Sequence, residues 1–178
     1  MDIVKQLNER ITPEGQHRLD SAWVLWSHPW DSKKWDLKDY IKHATIRTVE
    51  EFWEIYNGLP SMNNRDMWFL MREGVPPRWE DDINREGGSF KFRISAAELD
   101  NVWLSLSLYL ISENICRNPA DAGLICGITV SPKNNGFSTV SVWNLDKHST
   151  AHAIFPTNIN GLNFTMSLYQ PHHDRHRG

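Results

Sequence analysis

Apolar positions along the chain follow two different periods, and the switch between them marks out the elements. Phe90, Phe92 and Ile94 alternate with Ser89, Lys91 and Arg93, and Phe164, Met166 and Leu168 alternate with Thr165 and Ser167. A period of two belongs to a strand with one buried face, so both stretches are predicted as half-buried strands. Ile125 to Ser131 and Thr139 to Trp143 read as two more, joined through Asn134-Asn135-Gly136, whose residue types suit a hairpin turn. Elsewhere the period is helical. Thr48-Val49-Glu50-Glu51 has the form of a capping box, in which Thr48 accepts from the Glu51 amide and Glu51 reaches back; with Gly58 as a stop it predicts a helix over 49–57. Ser95-Ala96-Ala97-Glu98 has the same form and predicts a helix over 96–113. Strands with one polar face, together with helices, imply an antiparallel sheet with helices packed on one side, the α+β class.

The second helix is apolar on two sides. At about 100° per residue, Leu99, Val102, Trp103, Leu106, Tyr109 and Leu110 fall on one face and Leu104, Leu108 and Ile111 on the opposite one. One face packs on the sheet. An apolar stripe left on the outside of a monomer calls for a partner, and Val49 and Trp53, one turn apart on the first helix, extend it.

Length fits a single domain over 1–178, with 1–16 and 171–178 expected to be loose. No apolar run approaches the roughly 18 residues of a membrane span. The first ten residues lack a basic-then-apolar export pattern, and Cys116 and Cys126 lack metal-ligand spacing, so a reduced cytoplasmic setting is expected, with the nucleus second. The net charge of −3 argues against broad electrostatic binding of long nucleic acid but leaves room for a short, locally read ligand. From Lys133 onward the balance reverses, since Lys133, Lys147, Arg175 and Arg177 outnumber Asp146 and Asp174. The tract His172-His173-Asp174-Arg175-His176 has no second ligand cluster and is expected to be a flexible tail; no metal or cofactor is expected.

Nine tryptophans are more than packing alone requires. Trp79 follows Pro76-Pro77-Arg78 and precedes Glu80-Asp81-Asp82, a segment that the prolines hold extended. Trp35 sits in Asp31-Ser32-Lys33-Lys34-Trp35-Asp36, a polar loop with little apolar company. A single loop tryptophan is more often a packing anchor; two of them suggest stacking on a flat ligand. A methylammonium group held in an aromatic cage is one ligand that fits; 7-methylguanine is another. N7 methylation gives its ring a delocalised positive charge, which adds a cation–π term of roughly 0.5 to 2 kcal/mol per stacked face. Its N1–H and N2 amine are adjacent donors that match the two oxygens of one carboxylate, and Glu80 stands beside Trp79. Trp143 ends a strand on the side of Thr139 and Ser141 and can wall such a pocket.

These residues stand in an order that resembles the eukaryotic translation initiation factor 4E family of mRNA cap-binding proteins. The matching blocks run from His17-x-Leu19 through Trp23-Val24-Leu25-Trp26, Ser32-Lys33-Lys34-Trp35 and Thr48-Val49-Glu50-Glu51-Phe52-Trp53-Glu54-Ile55-Tyr56-Asn57. They continue through Gly74-Val75-Pro76-Pro77-Arg78-Trp79-Glu80-Asp81, Arg85-Glu86-Gly87-Gly88, Val102-Trp103-Leu104, Cys126-Gly127 and Trp143. The resemblance implies a curved antiparallel sheet of about eight strands, about three helices on its convex face and the cap pocket on its concave face. It implies base recognition by Trp35, Trp79, Glu80 and Trp143, with the Trp79 backbone N–H donating to guanine O6. It also implies that a 4G-type scaffold or 4E-binding repressor docks an amphipathic Tyr-x-x-x-x-Leu-hydrophobic helix on the convex side, where His17, Leu19, Val49, Trp53, Leu104 and Leu108 are the candidate contacts.

Two departures qualify the resemblance. Where the family carries a basic trio for the cap triphosphate, this chain reads Lys133, Asn135 and, after one extra residue, Thr139. Lys133 is therefore the expected phosphate ligand, with Arg78, Arg175 or Arg177 as substitutes and weaker triphosphate binding as the consequence. Ser105 replaces an acidic residue typical of the partner surface, which points to a different partner preference. Tryptophan at both 23 and 35 resembles the initiation-competent members, so translation initiation is the expected role. A repressor that occupies caps and, more remotely, a methylammonium reader are the alternatives. An enzyme is not expected, because Glu80-Asp81-Asp82 is the only dense acidic group and its residues alternate in direction.

Overall fold

A computed structural model describes residues 10–133, 136–149, 155, 159 and 162–173. Seven strands form one sheet: β1 (Arg18–His28), β2 (Ile41–Thr48), β3 (Met67–Arg72), β4 (Gly88–Ser95), β5 (Ile125–Pro132), β6 (Phe137–Asn144) and β7 (Leu168–Pro171). Their order is β2-β1-β3-β5-β6-β4-β7, and every neighbouring pair is antiparallel. The helices are α1 (Val49–Asn57), α2 (Asp82–Arg85) and α3 (Leu99–Ile111). The α+β class is as expected, with seven strands among the described residues. Helices α1 and α3 pack on one face of the sheet, while α2 lies with the cluster on the other face, where Asn84 meets Cys126, so the expected three-helix layer holds two of the described helices.

Alternation along the strands sorts the interior into two clusters. Trp23 and Leu25 of β1, Trp68 and Leu70 of β3, Phe90, Phe92 and Ile94 of β4, and Val140 and Val142 of β6 meet Phe52 of α1 and Trp103, Leu106 and Leu110 of α3. On the opposite face Phe69 and Met71 of β3 and Trp143 of β6 gather with Tyr40, Val75 and Cys126, and Trp26, Met67, Trp79 and Leu145 pack against them. Because β3 is buried on both faces, Met67-Trp68-Phe69-Leu70-Met71 is an unbroken apolar run rather than an alternating one.

Helix α1 begins as expected: the Glu51 N–H donates to Thr48 Oγ1 at 3.2 Å and the Thr48 N–H to Glu51 Oε2 at 3.1 Å. The box at Ser95 does not form. Ser95 still pairs with Phe137 in the sheet and donates its hydroxyl to Glu98 Oε2 at 2.7 Å, so the chain turns through 96–98 and α3 starts at Leu99. Ile111, expected on the outer stripe, is buried, whereas Leu104 and Leu108 remain half-buried. The hairpin between β5 and β6 forms with Gly136 at φ +77 and the Lys133 N–H donating to Phe137 O at 3.0 Å; Asn134 and Asn135 lie outside the described residues.

Two expectations near the C-terminus are corrected. Residues 164–166 form a 3-10 turn rather than a strand, and β7 begins at Leu168. Phe164 is drawn into the core against Phe92 and Phe155, at 5.0 and 4.2 Å between centroids, while Met166 and Leu168 are exposed, so their alternation follows no sheet face. The loose tail does not begin at residue 171. Pro171 pairs with Gly88, and buried His172 donates its backbone N–H to Gly87 O and places Nδ1 2.8 Å from Asn84 O.

Candidate functional site

On the sheet face opposite α1 and α3 lies a cavity of about 480 Å³. Trp35, Trp79, Glu80 and Trp143 all border it, as do Tyr40, Phe69, Lys91, Lys133 and the hydroxyl residues Thr129, Ser131, Thr139 and Ser141. Four residues singled out for the base are thus brought to one pocket from a loop after β1, a loop after β3 and the end of β6.

Each ring is held differently. Trp143 is almost fully buried, and its indole N–H donates to Thr129 Oγ1 on neighbouring β5 at 3.3 Å, so it is part of the wall. Trp35 is 45% exposed, yet one of its faces is covered: the His28 ring lies parallel to it, 4.1 Å away at 3°. His28 is itself buried and anchored by an Nε2 contact of 2.7 Å with the Lys34 carbonyl, where the ring nitrogen donates. Tyr40 meets His28, Trp35 and Phe69 edge-on at 4.8, 6.4 and 5.4 Å between centroids. One face of Trp35 is therefore left for a ligand, and its plane is fixed from behind.

Trp79 depends on a buried amide. Asn84 of α2 is fully buried, and its Nδ2 donates to Pro76 O at 2.8 Å and to Arg78 O at 2.7 Å, clamping the extended segment the prolines begin. The Asn84 carbonyl is in turn held by His172, whose ring stands edge-on to Trp143 at 4.7 Å. Asn84 thereby supports the Trp79 segment and, through His172, adjoins the Trp143 wall.

Among the described residues the pocket carries one carboxylate, Glu80, and two ammonium groups, Lys91 and Lys133. Burial, reinforced by the Glu80 carboxylate and opposed by Arg78, pushes the Tyr40 hydroxyl well above the ordinary tyrosine range, so it stays protonated as a donor. Lys133 is exposed at the rim, with Nζ 3.1 Å from Ser131 Oγ. Lys91 of β4, which pairs with Ser141, brings a second cation and contacts Gln170 Oε1. Arg78 does not border the cavity; its Nε lies 3.7 Å from Asp81 Oδ2. Arg175 and Arg177 lie outside the described residues.

The sequence did not single out His28, Tyr40, Asn84 or Lys91. Lys91 carried a faint signal, as a polar-side residue of β4, but only the pairing of β4 with β6 shows that this side faces Ser141 and the cavity. On the helix side, Val49 and Trp53 are 36% and 38% exposed, and His17 is exposed with its Nδ1 2.7 Å from Glu50 Oε1. Leu19, Leu104 and Leu108 are half-buried against the core. Among the described residues no helix is long and apolar enough to cross a membrane, and no group of three or more His, Cys, Asp or Glu is placed to hold a metal.

Residues 18–178 match the family model described as eukaryotic initiation factor 4E. The chain is similar to the eukaryotic translation initiation factor 4E of Eremothecium gossypii, 32% identical over 137 residues, which are 72% of this chain and 62% of that protein. It is 30% identical over 141 residues to the Candida albicans factor, covering 74% and 66%. The matched segment thus spans less than two thirds of these relatives. Among solved structures it is similar to Caenorhabditis elegans eIF4E-3 in complex with the 4E-binding protein Mextli and a cap analog, with a TM-score of 0.66 at 29% identity over 74% of this chain and 75% of that one. It is likewise similar to Ascaris suum eIF4E-3 with an m7G cap, with a TM-score of 0.67 at 28% identity over 76% and 77%.

Proposed function

The chain belongs to the eukaryotic initiation factor 4E family, and on that premise we propose that it binds the 7-methylguanosine 5′ cap of mRNA and recruits a 4G-type scaffold for translation initiation in the cytoplasm. The observation that carries the proposal is the convergence of Trp35, Trp79, Glu80 and Trp143 on one cavity, on the sheet face opposite α1 and α3. The methylated base stacks between Trp35 and Trp79, gaining the cation–π term that unmethylated guanine lacks. Glu80 accepts from N1–H and the N2 amine, and the Trp79 backbone N–H donates to O6. His28 and Asn84 hold the two rings in place before the ligand arrives, which lowers the ordering cost of binding. Beyond the base, Lys133 and Lys91 grip the triphosphate, the second from a strand outside the β5–β6 hairpin.

On the opposite side of the sheet, exposed Val49 and Trp53 with half-buried Leu104 and Leu108 form the surface for an amphipathic helix. Immobilised 7-methyl-GTP tests the first half: the protein is expected to be retained, and released by 7-methyl-GTP but not by GTP. Retention failing, or equal release by GTP, overturns the cap assignment. The second half is tested by Trp53→Ala, expected to lose capture by a Tyr-x-x-x-x-Leu-hydrophobic peptide while keeping retention on the resin. Undiminished peptide capture would remove Trp53 from the docking surface.

A further inference from the structure

Next to the base pocket is a second cavity, of about 860 Å³, that none of the base-recognition residues except Trp35 enters. It shares Trp35, Met67, Ser131 and Lys133 with the first, so the two adjoin along these residues. Its distinctive wall is Trp30, 54% exposed, with the Arg65 guanidinium 5.2 Å from the ring centroid. Among the described residues no carboxylate borders this cavity, whereas Arg65 and Lys133 both do.

The platform is built rather than incidental. Arg65 adopts φ 80, a left-handed conformation that a side chain of its kind rarely takes, and the flanking turn holds it there. Asn64 Oδ1 accepts from the Asp66 N–H and from the Trp68 indole N–H, both at 3.2 Å, and Asp66 Oδ1 accepts from the Trp30 backbone N–H at 3.3 Å. Two loops from different strand ends are thus pinned together so that a cation backs one face of an exposed indole. An aromatic surface with cations beside it and no described carboxylate lining the cavity, the Asp66 carboxylate being turned to the Trp30 backbone N–H, fits an unstacked nucleobase on a phosphate backbone.

Building on the cap reading, we infer that the Trp30–Arg65 cavity binds the first nucleotide that follows the cap triphosphate, stacking its base on Trp30. Lys133, common to both cavities, stands at the phosphates in between. Stacking of this kind tolerates any base, so the site adds affinity for capped RNA over the isolated cap nucleotide without reading sequence.

Calorimetric titration of the whole chain with 7-methyl-GTP and with the capped dinucleotide 7-methyl-GpppA tests the inference. Trp30→Ala is expected to weaken the dinucleotide about five-fold or more, the low end of what one lost base–aromatic stack is worth, and to leave 7-methyl-GTP unchanged. Trp30→Phe, which keeps a ring, should retain most of the dinucleotide affinity. Arg65→Asn, which tolerates the left-handed backbone but removes the charge, is expected to weaken the dinucleotide alone. Equal weakening of both ligands by Trp30→Ala, or of neither, overturns the second site while leaving the base pocket intact. A wild-type chain that binds neither ligand overturns the cap reading and this inference with it.

Discussion

The two faces of the sheet carry similar rings under opposite conditions. On the helix side Trp23, Phe90 and Trp103 are at most 1% exposed, each sealed by neighbours from another layer. On the pocket side the floor is as well sealed, with Trp143 at 4% and Phe69 at 2%, but Trp35 at the mouth keeps 45% of its surface and Trp79 is half-buried. The difference teaches that an aromatic at a pocket mouth is held by a few directed contacts rather than by enclosure. His28 fixes the Trp35 plane and Asn84 fixes the Trp79 segment, and each leaves apolar area unspent until a ligand covers it.

Substitutions should separate the faces. The largest effect is expected from Trp103→Ala, which opens a cavity in the helix-side core and should cost about 3–5 kcal/mol of stability. Thermal unfolding measures it, and a loss below about 1 kcal/mol would mean that this face is not the densely packed one. On the pocket side the expected losses are in affinity with little change in melting temperature. Glu80→Gln turns one of two accepting oxygens into a donor facing the guanine donors, and 7-methyl-GTP binding should fall roughly 100-fold, within the range for hydrogen bonds to a charged group. An unchanged affinity would place the base edge elsewhere. Smallest is Lys91→Ala. About ten-fold weaker binding of 7-methyl-GTP, with 7-methylguanosine unaffected, is expected for one lost charge-assisted contact to phosphate. If both ligands weaken alike, Lys91 acts on the base and not on the phosphates.

How much of this was legible in the sequence follows from the range of the interactions. Helix α1 and the β5–β6 hairpin rest on contacts a few residues apart, and the Thr48/Glu51 box and Gly136 announced both. The Ser95 box failed because Ser95 was claimed by β4 pairing, with a partner 42 positions away in Phe137 that local spacing does not reveal. Phe164, Met166 and Leu168 show the same limit, since an alternating pattern does not distinguish a sheet face from a turn whose one ring happens to reach the core. Trp35, Trp79 and Glu80 were conspicuous as large or charged groups in polar loops. Their supports were not. Asn84 looks like any short polar residue until it is found with both amide protons given to Pro76 and Arg78 carbonyls, and His28 looks like the end of a strand until it is found under Trp35.

Base recognition by the Trp35/Trp79 pocket is tested most directly by tryptophan-fluorescence titration with 7-methyl-GTP and GTP in parallel. Stacking on two indoles is expected to quench emission strongly, with 7-methyl-GTP bound roughly ten-fold or more tightly than GTP, since the methyl-dependent cation–π term acts on both faces, and Trp35→Ala should abolish the distinction. Equal affinity for the two nucleotides, or discrimination that survives Trp35→Ala, would contradict it.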